Sequence, residues 1–165
     1  MMMFVTVQEL RVMERRVLNA LSFAISRWIP LNYVNLIMEI PEILANDDVK
    51  YSISFVHELV LHAPQLMLNP PDLLAAAVSY YAISVAAPSL HDKLVSEGLI
   101  EYTLNTPVYD TKEMQKLIKK IEALPGLAIE QMAKQHAVLT KYRRDICNNV
   151  AFKYFGVPPL VDAML

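Results

Sequence analysis

Glycine is scarce in this chain of 165 residues: Gly98, Gly126 and Gly156 are the only three. Strand-like alternation of apolar and polar residues is scarce too, and together these argue for an all-α fold. A phosphate cradle needs a glycine-rich loop ahead of a helix, and the sequence has none. There is one cysteine, Cys147, so no internal disulfide forms, and an intracellular location fits better than secretion. Charged residues make up 19 % of the chain and the net charge is −2, so no general attraction to nucleic acid is built in. The start, MMMFVTVQELR, turns polar after a few residues and is not a signal peptide. The longest uncharged run, after Asp72, is about 18 residues, at the lower limit for a bilayer span. It holds Ser79, Tyr80, Tyr81 and Ser84 and follows a double proline, so it reads as a buried core helix and not a membrane segment.

What the chain does have is apolar mass. Hydrophobic residues reach 55 %, more than most domains carry. The length suits one domain that buries roughly two-thirds of its surface. The run LNPPDLLAAAVSYYAISVAA, from Leu68 to Ala87, concentrates this character. Asn69 is placed to cap a helix whose first turn tolerates Pro70 and Pro71, and Asp72 complements the helix dipole. Ala75, Ala76 and Ala77 keep the helix thin. A helix apolar on nearly every side is surrounded by other helices, so this one is expected at the centre of the domain.

The other helices follow from periodicity and breakers. Thr6 and Glu9 have the spacing of a capping box, opening a helix from about Thr6 to Phe23. A second begins near Leu31 and carries Val34, Leu36, Ile37, Ile40 and Leu44, with Pro41 placed to kink or shorten it. A third runs from about Asp48 to His62. After the Asn69 helix, Pro88 starts a fifth, with Leu90, Leu94 and Leu99 inward. A sixth, from about Thr111, puts Met114, Leu117, Ile118, Ile121 and Leu124 inward and Lys112, Lys116, Lys119 and Lys120 outward. A long final helix is expected from about Leu127 to Phe155, closed by Gly156-Val157-Pro158-Pro159.

Candidate chemistry is thin. His57 and His62 flank Glu58 in a pattern close to that of a metalloprotease. Histidines four apart share a helix face; five apart they diverge by roughly 140° at about 100° per residue, so no zinc pair forms. Cys147 lies in RRDICNN with no histidine near it in sequence and reads as a packed small hydrophobe. The lysines of the sixth helix form a solvated face rather than a nucleic-acid patch. Lys141-Tyr142-Arg143-Arg144 mixes cations with an aromatic. It is the better binding candidate, set beside a plainer reading as a helix surface with Tyr142 packed inward. With no metal, cofactor or active site indicated, the sequence reads as a binding or scaffolding protein and not an enzyme.

The helix order resembles that of the cyclins. Glu9–Ile25, ELRVMERRVLNALSFAI, is similar to the last helix of a first cyclin box. SRWIPLNYVNLIMEI resembles the linker into the second box, keeping one proline, Pro30, where the family usually has two. LNPPDLLAAAVSYYA resembles the middle helix of that box, and TKYRRDICNNVAFKYFGVPPL resembles its closing segment. The resemblance implies a five-helix box from Leu31 to about Leu124, with flanking helices at both ends. It divides the chain into residues 1–27, the end of a first box, and residues 28–165, a C-terminal cyclin-like domain.

The same resemblance implies a non-catalytic regulator that binds a cyclin-dependent kinase in cell-cycle or transcription control, in the nucleus or cytoplasm. By motif position Leu18, Phe23 and Ile25 correspond to apolar residues at the family's kinase interface, and the alternative is that they simply pack on the second box. In the family the main kinase contacts and the substrate-docking patch lie on the first box, of which this sequence resembles only the last helix. The first helix is therefore expected to need another partner for Leu10, Val17 and Leu21, a homodimer among them. A stand-alone cyclin-fold adaptor is the competing reading. The mild acidity argues against its DNA-binding form.

Overall fold

A computed structural model describes residues 6–22, 28–105, 111–124, 137–144 and 147–155. Among these the secondary structure is entirely helical, as the glycine-poor sequence implies. The helices are α1 (Val7–Ala20), α2 (Pro30–Met38), α3 (Pro41–Leu44), α4 (Asp47–Leu61), α5 (Pro71–Ala86), α6 (Pro88–Glu97), α7 (Leu99–Leu104), α8 (Lys112–Glu122), α9 (Ala137–Tyr142) and α10 (Val150–Phe155). No helix among the described residues is long and apolar enough to cross a membrane.

The expected central helix is at the centre. α5 packs against α2, α4, α6, α7, α8 and α10. Leu74, Ala75, Ala76, Ala77, Val78 and Ile83 on it are fully buried. The three alanines put little more than backbone between α5 and its neighbours, so five longer helices (α2, α4, α5, α6 and α8) share one core. Its start differs from expectation. Pro70 occupies the cap position, and the Asn69 amide donates instead to the Leu66 carbonyl at 2.7 Å, closing the preceding turn.

The remaining boundaries have local causes. Thr6 and Glu9 form the capping box of α1, with the Thr6 amide donating to Glu9 Oε2 at 2.8 Å and the Glu9 amide to Thr6 Oγ1 at 3.2 Å. Asn46 Oδ1 accepts from the Val49 amide at the start of α4, and Thr111 Oγ1 from the Met114 amide at the start of α8, each at 3.2 Å. Gly98, at φ +59°, ends α6 in a left-handed conformation, within the Gly98–Glu101 stretch where the fifth helix is expected to close, and a further short helix, α7, follows it.

Two long helices expected from the sequence are broken. The second does not continue through Pro41. Ile40 takes an extended ψ of 126°, as residues before proline do, and Pro41 opens α3. Val34, Ile37 and Ile40 enter the core, while Leu36 and Leu44 face outward, 38 % and 49 % exposed. The final helix is interrupted after Tyr142. Asn148 and Asn149 are left-handed, with φ of 52° and 51°, a conformation asparagine tolerates and a helix cannot propagate. The stretches of that prediction from residue 127 to 136 and at residues 145–146 lie outside the described residues.

The break lets α9 and α10 both pack on α4. Tyr142 on α9 and Tyr154 on α10 both pack on Phe55, each with ring centroids 5.2 Å apart. Tyr154 also donates its hydroxyl to the Ala82 carbonyl of α5 at 3.2 Å. The closing segment is therefore part of the core.

Candidate functional site

Two carboxylates of α4, Asp48 and Glu58, one toward each end of the helix, hold the closing segment. Asp48 lies in its first turn, where Asn148 Nδ2 donates to Oδ1 at 2.7 Å and Lys153 Nζ to Oδ2 at 2.7 Å. Glu58 lies near the other end, about 15 Å away at helical rise. Its Oε1 accepts from Lys141 Nζ and, at 2.9 Å, from the Tyr142 hydroxyl. Lys153, and after it Asn148, holds the Asp48 carboxyl below its ordinary range. Burial, then the Glu58 carboxylate, pushes the Tyr142 hydroxyl far up, so it stays a protonated donor.

Between α2, α4 and this segment lies a cavity of about 600 Å³. Val34 and Met38 line it from α2, Tyr51 and His57 from α4, and Val138 and Cys147 from the closing segment. Leu31 and Leu61, 43 % and 49 % exposed, stand on its lining nearest solvent. His57 is 6 % exposed, and burial lowers its pKa against the opposing pull of Glu58, so the ring is neutral at pH 7. Cys147 is buried on the cavity wall. Among the described residues no group of three or more His, Cys, Asp or Glu side chains is arranged to hold a metal ion.

α1 is a different kind of surface. Leu10, Met13, Val17 and Leu21 follow a helical spacing along one face and are 61 %, 63 %, 51 % and 49 % exposed. No residue of α1 is fully buried.

The sequence candidates fall on two separate elements. Leu18 is half-buried on α1. Phe23 and Ile25 lie outside the described residues. Lys141 is bound to Glu58 within the domain, with its ammonium 4.8 Å from the Tyr142 ring centre. Tyr142 itself is packed inward, 2 % exposed. Arg143 is half-buried and Arg144 exposed. Sequence reasoning missed the roles of Asp48 and Glu58. Glu58 bonds to residues 83 and 84 positions away, and no local pattern announces such a pairing.

Comparison with known proteins is consistent with this architecture. The family described as "Cyclin, C-terminal domain" matches residues 28–154, from just before α2 to the end of the closing segment. Neither the curated proteins nor the solved structures give a match. The matched range takes in the central helix, the box around it and the segment clamped on α4, and on that match the chain belongs to the cyclin family, carrying its C-terminal domain.

Proposed function

We propose that this protein is a non-catalytic regulatory subunit that binds a cyclin-dependent protein kinase inside the cell, in cell-cycle or transcription control. The observation that carries the reading is the family match over residues 28–154. The exposed apolar face of α1 supports it: four large side chains in a row on one helix are the kind of surface a protein partner covers. In this reading the segment 1–27 carries a partner-binding helix, α1, attached to the domain, and Leu18, Phe23 and Ile25 belong to the kinase contact. Arg143 and Arg144 contribute a cationic edge, while Lys141 acts through Glu58 to hold the closing segment in place. The test is direct binding of the purified chain to purified cyclin-dependent kinases, followed by their activity with and without it.

The same face of α1 supports a second reading, a stand-alone cyclin-fold adaptor in which another copy covers Leu10, Met13, Val17 and Leu21. The mass in solution distinguishes the two: a dimer that Val17→Asp dissociates favours the adaptor, and a monomer that binds kinase favours the regulator.

A further inference from the structure

The cavity of about 600 Å³ beside the core opens to solvent past Leu31 and Leu61. Its size is that of a small-molecule site. Val34, Met38, Tyr51 and Val138 make most of the wall apolar. One polar ring is set deep in it. His57 is 6 % exposed, lies on the lining and makes no hydrogen bond with the described residues. Glu58 and Lys141, the two charged side chains on the lining, are paired with each other, so the site presents no net charge to an entering ligand.

We propose that this cavity binds a small uncharged molecule, apolar over most of its surface, that places one hydrogen-bonding group against His57. A neutral imidazole offers one donor and one acceptor, which suits a hydroxyl or an amide. Burial keeps the ring in that neutral form. The depth of His57 favours a slender molecule over a polypeptide, which would lie across Leu31 and Leu61 and leave the ring unmet. The assignment goes beyond the kinase-binding reading and does not depend on it.

The probes are 4-butylphenol and butylbenzene, which differ by one hydroxyl, titrated into the whole chain and followed by NMR. The expected result is that both move the methyl signals of Val34, Met38 and Val138, while the phenol also moves the His57 ring. The phenol binds about fivefold more tightly, the worth of one neutral hydrogen bond. His57→Leu removes that difference. Leu61→Trp, at an exposed position outside the core, blocks both probes and keeps the test valid if His57→Leu does not fold. Absence of binding, equal binding of the two probes, or binding unchanged by Leu61→Trp would overturn the assignment. So would shifts confined to Leu31 and Leu61 with His57 unmoved, the pattern of a flat surface for a partner polypeptide.

Discussion

Tyr142 donates its hydroxyl to the Glu58 carboxylate at 2.9 Å, joining the last turn of α9 to the last turns of α4 across 84 residues of sequence. The tyrosine ring packs on Phe55, one helical turn before Glu58, so the aromatic contact and the hydrogen bond act on the same stretch of α4. Lys141 approaches the same carboxylate from the solvent side.

Tyr142→Phe keeps the ring and removes the bond to a charged acceptor. It should cost about 1.5 kcal/mol, at the low end for such bonds because Glu58 retains its lysine. Lys141→Met should cost less than about 1 kcal/mol, since the lysine is 53 % exposed and its ion pair is screened by water. Urea titration of the two variants checks the order. A larger loss from Lys141→Met than from Tyr142→Phe would show that the ion pair dominates.

The acid limb of stability has two sources with the same sign. Asp48 has a folded pKa held below its ordinary value of 3.8 by Lys153 and Asn148, so its contribution is complete above that value and is lost as pH falls through the lower, folded one. His57 has a folded pKa lowered from 6.5 by burial, so its contribution is complete above 6.5 and declines as pH falls from there toward the folded value. Denaturation midpoints from pH 8 to pH 3 should therefore fall in two stages. Asp48→Asn should flatten the lower stage and His57→Gln the upper one.

Gly98→Ala should destabilise by about 1 kcal/mol. Gly98 is at φ +59°, a left-handed conformation in which a Cβ is unfavourable. An added methyl meets nothing within 4 Å, so the loss is conformational and not steric. Thermal unfolding of the variant measures it, and Gly98→Asn should recover part of the loss because asparagine tolerates that region better.

Ala76→Leu should cost about 1–3 kcal/mol by overpacking. Ala76 is fully buried on α5, which α2, α4, α6 and α8 all touch. Thr111, exposed at the start of α8, gives a contrast: Thr111→Ala removes the cap bond to the Met114 amide, worth about 1 kcal/mol. Chemical denaturation of both variants separates core crowding from capping.

The central helix was legible because Leu74 to Ile83 offers no polar face, and only burial on every side accommodates that pattern. The capping box of α1 was legible because Thr6 and Glu9 bond to each other. The breaks were harder to place. Pro41 was visible as a disturbance, but whether it kinks or restarts a helix depends on the core available to Ile43, which is fully buried. Asn148 and Asn149 read as ordinary helix surface until the packing of Tyr142 and Tyr154 on one phenylalanine requires a turn between them. The cavity was not legible at all. His57 came to notice only through a spacing that excluded zinc, and its neighbours Val34 and Val138 are brought to it by the fold.

The reading of this cyclin-family chain as a kinase regulator is tested most directly by its affinity for purified cyclin-dependent kinases, measured alongside a Leu18→Asp variant whose helicity is unchanged. Saturable binding to at least one kinase, a change in that kinase's activity and a loss of at least tenfold in affinity for the variant are the predicted result. Absence of binding to every kinase tested, or binding that Leu18→Asp leaves intact, would contradict it.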